Sequence, residues 1–161
     1  MNTEPQWVLV ADASRARLFH GTGDELVLES TLDHPGSRAR VRDLMADANG
    51  RKPAGPTRGP AYGGNSISEG VGRTGAAPTT DPKEVEAQKF AHELCDLLAE
   101  RTRDEANASV VLVAPPQFLG LLRQTLDKQV AKRVRHSIDK HLVNLDAKQL
   151  IERLRSELTS N

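Results

Sequence analysis

The chain has 161 residues, 22 Lys+Arg against 22 Asp+Glu, five histidines and a single cysteine. That length supports one domain with a real core. A formal net charge of zero excludes a global field drawing the chain to nucleic acid or membrane, so any such contact must use a local patch. Cys95 alone excludes an internal disulfide and a cysteine-rich zinc site, and suits a reducing compartment. The opening Met1–Val10 stretch has no basic region and too short an apolar run for a signal peptide, and no run approaches the length of a membrane span. The expectation is a soluble cytoplasmic protein with no membrane contact.

Residues 7–11 are a continuous apolar run closed by Asp12, the pattern of a central strand. Residues 15–20 alternate and read as a second strand after a tight turn over Ala11–Ser14, with Asp12 as the side chain that caps it. Residues 25–32 alternate again, placing Leu26, Leu28, Ser30 and Leu32 on one face. Three short strands so close together predict an antiparallel meander. His34-Pro35-Gly36 breaks the pattern, and residues 38–49 carry Val41, Leu44 and Met45 at the spacing of a short helix.

Residues 50–80 have no hydrophobic period and hold eight of the twelve glycines and four of the nine prolines. Such a segment buries too little surface to repay its ordering entropy, and reads as a flexible loop within a single domain over residues 1–161. Periodicity returns at Asp81, an N-cap followed by Pro82, with Glu84 placed to complete a capping box. That helix runs to about Arg103 with Phe90, Leu94, Leu97 and Leu98 in one stripe. Residues 109–116 are a buried strand ended by two prolines. Pro116 starts a helix with Phe118, Leu119, Leu122 and Leu126 on its apolar face, and Gly120 inside it suggests close packing on a neighbouring backbone. Val134, His136 and Ile138 alternate as a last strand. Asp146, Gln149, Leu145 and Leu150 mark the start of a C-terminal helix by a capping box and a hydrophobic staple. Trp7, Phe19, Phe90 and Phe118 are the expected aromatic anchors.

Strands alternating with helices in the second half imply parallel pairing with right-handed crossovers. The order β-β-β-(long loop)-α-β-α-β-α is the ribonuclease H-like α/β arrangement, with one mixed sheet between helical layers. Metal-dependent nucleases of that type need clustered carboxylates. Asp12 and Glu93 stand at two of the required places, but the fourth strand ends in Ala114-Pro115-Pro116 with no acid. Cys95 sits beside an apolar stripe, where a thiol acts as a small hydrophobe. The histidines at 20, 34, 92, 136 and 141 show no metal-ligand spacing, and the glycines form no phosphate loop. No catalytic residue, metal or cofactor follows from these residues. Two basic clusters remain as phosphate contacts: Arg38, Arg40, Arg42, Arg51, Lys52, Arg58 and Arg73, and then Lys128, Lys132, Arg133, Arg135 and Lys140. Interspersed acids give both clusters the alternative reading of a solvated face.

The blocks W-V-L-V-A-D-A-S-R-A-R-L-F (7–19), H-P (34–35), R-V-R-D-L (40–44), D-A-N-G-R (47–51), E-A-Q-K-F-A-H-E-L (86–94), V-L-V-A-P-P-Q-F-L-G-L-L-R (111–123) and D-K-H-L (139–142) resemble the bacterial host attachment protein family. That family is regarded as similar to the middle domain of archaeal and eukaryotic peptide-chain release factors, in which a long loop carries Gly-Gly-Gln to the peptidyl-tRNA ester. The corresponding loop here holds Gly63-Gly64-Asn65, with Asn one methylene shorter than Gln. The resemblance implies the fold and a translation-linked ancestry without carrying over hydrolysis. It points to a non-enzymatic binding or regulatory module that contacts RNA, a ribosome or a protein partner through Gly63, Gly64, Asn65 and Arg38, Arg42, Arg51, Lys52 and Arg58. The alternatives are a release-factor-like ester hydrolase acting through the same tip, and an indirect regulator of host-cell attachment. Oligomeric state does not follow from the sequence.

Overall fold

Buried Val and Leu side chains decide the centre of the fold. The structure, a computed structural model, describes residues 4–22, 25–38 and 81–160, with the side chains of residues 37 and 38 outside that description. β1 (Pro5–Ala11) is fully buried from Trp7 to Ala11, and β4 (Ser109–Val113) is buried throughout. Continuous apolar runs of this kind belong to strands covered on both faces. β1 pairs antiparallel with β2 (Arg15–Thr22) and parallel with β4. β3 (Glu25–Asp33) adds antiparallel to β2, and β5 (Val134–Ile138) adds parallel to β4. The described strands form one five-stranded mixed sheet in the order β3-β2-β1-β4-β5.

Helices cover both faces. After a 3-10 turn at Pro35–Arg38, α1 (Pro82–Thr102), α2 (Pro116–Thr125) and the single turn α3 (Lys128–Ala131) lie on one side. Phe90, Leu94, Leu98, Phe118 and Leu122 pack there on Trp7, Leu9, Leu18, Val110 and Leu112. On the other side α4 (Ala147–Thr159) sets Leu150 and Leu154 against Val8, Val10, Phe19, Val111 and Val113. All four expected aromatic anchors are buried, Phe19 on the α4 side and the other three on the α1 side. The mixed α/β class and, among the described residues, the order of strands and helices agree with expectation, α3 being an addition; the short helix expected over 38–49 and the loop over 50–80 lie outside the described residues but for the turn ending at Arg38. A four-residue turn is too short to leave a readable period.

The caps follow the local chemistry. Asp146 accepts from the Gln149 amide at 2.8 Å while the Gln149 side chain accepts from the Asp146 amide, a complete capping box. Asp81 caps α1 one-sidedly, and the capping box expected with Glu84 is not formed: the Asp81 carboxylate takes the Lys83 amide at 3.1 Å, and the Glu84 amide donates to the Asp81 carbonyl.

Three further expectations are corrected. In β3, Ser30 lies opposite Leu18 but Leu28 lies opposite Phe19, so Glu29 is an extra residue. One inserted residue reverses the facing of everything beyond it. Leu32 therefore packs with the α1-side cluster and Leu26 with the α4-side cluster, while Leu28 stays exposed. The same happens in β5, where Val110 faces Val134 but Val111 faces His136. Val134 joins the α1 side and Ile138 the α4 side. Gly120 has no close backbone neighbour, since nothing lies within 4 Å of where its Cβ would be. Gly21 has the backbone neighbour that Gly120 lacks: a Cβ there would sit 1.7 Å from the Glu25 carbonyl oxygen.

Candidate functional site

The pairing directions bring the C-terminal ends of β1, β3, β4 and β5 to one edge of the sheet, beside the β1–β2 turn. Asp12 organises that turn. Its Oδ1 accepts from the Ser14 amide at 2.8 Å, the Arg15 amide at 2.7 Å and the Ser14 hydroxyl at 3.1 Å. Its Oδ2 lies 3.0 Å from Nε2 of His141, just past β5. Burial alone would raise the Asp12 carboxyl. The hydrogen bonds from Ser14, His141 and Arg15 outweigh it and hold the group below its ordinary value. The expected turn-capping role of Asp12 is thus present, and every one of these contacts uses the carboxylate internally.

Ser14 passes the connection on. Its carbonyl accepts from the His34 amide at 2.8 Å. The His34 ring stacks on Phe90 with centroids 5.2 Å apart, and its Nε2 lies 2.7 Å from Glu86 Oε2 in the first turns of α1. Lys89 holds the other Glu86 oxygen at 2.9 Å. Lys89 first and His34 second lower the Glu86 carboxyl. Gly36 lets the 3-10 turn approach closely, since a Cβ there would meet Glu86 Oε2 at 2.6 Å. His141, Asp12, Ser14, His34 and Glu86 form a polar chain from the end of β5 to the start of α1. Beside it lies an open groove of about 390 Å³ lined by Arg15, Arg17, Thr31, Asp33, Val143 and Asn144 among others. Arg17 donates to the Leu145 carbonyl and lies over the Phe19 ring, 5.4 Å from its centroid.

Of the sequence-derived contact residues, the backbone of Arg38 ends the 3-10 turn at this edge. Its side chain, and Arg42, Arg51, Lys52, Arg58, Gly63, Gly64 and Asn65, lie outside the described residues. The second basic cluster is largely committed to internal partners. Arg133 donates to the Thr102 and Glu105 carbonyls at the end of α1, Arg135 to Glu4 at 3.2 Å, and Lys140 to Glu157 at 2.7 Å. Lys128 and Lys132 are exposed. The Cys95 thiol is buried, donates to the Leu122 carbonyl at 3.7 Å, and is pushed up to about 12 by burial and by Asp96. Among the described residues, no three His, Cys, Asp or Glu side chains are grouped as metal ligands, and no helix is long and apolar enough to cross a membrane.

Sequence reasoning found Asp12 but missed its His141 partner and the His34–Glu86 pair. These contacts span 129 and 52 residues, and no local spacing rule links such positions. The only available signal was that His34 and His141 both fall within the blocks carrying the family resemblance.

A family model described as "Protein required for attachment to host cells" matches residues 7–154. No curated protein matches the chain. Among solved structures, the archaeal translation termination factor aRF1 is similar with a TM-score of 0.48 and 8% sequence identity, the match covering 97% of this chain. This chain spans 39% of that factor's length.

Proposed function

The chain belongs to that family of proteins required for attachment to host cells, and we propose that it works as a non-enzymatic binding module that contacts RNA through the basic run Arg38, Arg42, Arg51, Lys52 and Arg58, with Gly63-Gly64-Asn65 beyond it. In this reading it acts in the cytoplasm, on ribosome-associated RNA, and its effect on attachment is indirect.

The observation that supports the reading most is the His34–Glu86 clamp at 2.7 Å. Residues 39–80 connect Arg38 to Asp81 in the chain, and the clamp joins His34 and Glu86, a few residues outside those two points, at one end of the sheet. Arginines carried from that base present several guanidinium groups to one phosphate backbone, and each phosphate neutralised releases a counterion. The internal use of the Asp12 carboxylate favours binding over chemistry at that end of the sheet, and the Cys95 thiol, buried along α1 and raised by that burial, is poorly suited as a nucleophile.

Co-sedimentation with ribosomes at low and raised salt tests it. The expected outcome is association that weakens steeply with salt and is lost in a triple variant Arg51→Glu, Lys52→Glu, Arg58→Glu. No association at low salt, or association indifferent to both salt and the triple variant, would sink the proposal.

A further inference from the structure

β3 ends the sheet, and no described strand pairs with its outer side. Natural edge strands are blunted by short length, lysine or proline. The opposite edge follows that rule: β5 has five residues and carries Arg135 at its irregularity. β3 has nine residues and neither lysine, arginine nor proline. It also bears the two large apolar side chains that stay exposed among the described residues, Val27 at 64% and Leu28 at 47%.

The two faces of β3 differ in chemistry. Val27 lies opposite His20, which stacks on Trp7 of the α1-side core, so Glu25 and Val27 face the α1 side. Glu29 lines an open groove of about 390 Å³ on that side, with Glu100, Asp104 and Glu105 at its rim and Arg101 the one base. Its floor is the Trp7–His20 stack, centroids 4.2 Å apart. Trp7 Nε1 donates to Glu105 Oε2 at 3.1 Å, and His20 Nε2 lies 3.2 Å from the same oxygen. Leu28 pairs with Phe19 and faces the α4 side with Leu26. The α1-side face carries Glu25 and Glu29 around the exposed Val27, and the α4-side face carries Leu26 and Leu28.

A second copy of the chain fits this edge poorly in the register that pairs all nine residues. Antiparallel self-pairing centred on Glu29 would set Glu29 against Glu29 and Glu25 against Asp33, and like charges directly opposite are destabilising. We propose that β3 accepts an added strand from a protein partner whose extended segment alternates basic with β-branched residues. Main-chain hydrogen bonds to β3 supply the pairing. The basic side chains lie along Glu25, Glu29 and the acidic groove, and the apolar ones continue the Leu26–Leu28 face. The residues of this surface are not those of the proposed RNA contact, and the two sets are opposite in charge.

The test uses the full chain and an acetylated, amidated eight-residue Lys-Val repeat. Trp7, the chain's only tryptophan, reports on the groove by fluorescence. The expected result is a saturable signal, slowed hydrogen exchange of β3 amides over residues 25–33, and affinity lowered roughly threefold to tenfold by Glu29→Lys. Alternate N-methylation of the peptide, which keeps its charge but removes main-chain donors, abolishes binding. The Arg51→Glu, Lys52→Glu, Arg58→Glu chain binds the peptide unchanged, so failure here and failure of the RNA reading are distinguishable. No saturable signal, equal binding of the N-methylated peptide, or dimers of the free chain cross-linked through residues 25–33 would each overturn the proposal.

Discussion

The two faces of the sheet are closed by unequal means. The α1 side is sealed by α1, α2 and α3, and holds Trp7, Phe90 and Phe118. Among the described residues the α4 side is covered by one helix and holds a single ring, Phe19. A narrow apolar gap of about 40 Å³ remains there, lined by Val8, Leu26, Val111, Ile151, Leu154 and Leu158 among others. Interiors packed to crystal-like density lose most when a large group is removed, and a site that already borders free space loses less. The stability of this fold is therefore concentrated on the α1 side, while the α4 side and the β3 edge tolerate change.

The sharpest way to break that comparison is a pair of truncations. Phe90 is fully buried between His34 and Phe118, with centroids 5.2 and 6.0 Å away. Phe90→Ala is expected to cost about 3–5 kcal/mol in urea unfolding. Leu154→Ala, at the lip of the gap, is expected near the low end for leucine, about 2 kcal/mol. Equal losses would mean that the faces share the load. Cys95 is a reporter on the α1 side: it is buried and its thiol is pushed up to about 12, so iodoacetamide should label it only as fast as the chain opens. Phe90→Ala should speed that labelling far more than Leu154→Ala does.

The polar chain at the sheet edge bears on both faces, since it joins β5, the β1–β2 turn and α1. Asp12→Ala removes the acceptor of four hydrogen-bonding contacts and is expected to cost about 2 kcal/mol. The pH dependence has a fixed sign. Asp12 and Glu86 are both held below their ordinary values in the folded chain. Their contribution is fully present above the unfolded carboxyl range near pH 4, and is lost as pH falls through the lower folded values. Stability should drop between pH 5 and pH 3, and less steeply in an Asp12→Asn, Glu86→Gln chain. An unchanged slope in that double variant would show that these two groups do not carry the acid response.

What could be read from the sequence was what is periodic or local. β1 and β4 were legible because both faces are apolar. The α1 stripe and the caps at Asp81 and Asp146 were legible because they depend on spacings of three and four. The facing of β3 and β5 was not, because a bulge is one residue with no composition of its own, and the backbone at Glu29 and Arg135 decides it. Gly120 invited a packing argument that the open space beside it removes. At the candidate site the turn of Asp12 was legible because the amides that donate to it lie two and three residues on. The partners His141 and Glu86 were hidden by chain separation.

The smallest expected effect tests whether α4 is held by its face or by its end. Asp146 takes the Gln149 amide and Gln149 returns the bond, while Leu145 and Leu150 both pack into the α4-side cluster. Asp146→Ala removes the cap and is expected to cost about 1 kcal/mol. Because α4 is the one helix on that face among the described residues, the loss should appear as faster hydrogen exchange confined to the first turns of α4, with the amides of β4 and α1 unaffected. A uniform change across the sheet would mean that α4 and the α1 side open together, and that the unequal cover of the two faces has no counterpart in local stability.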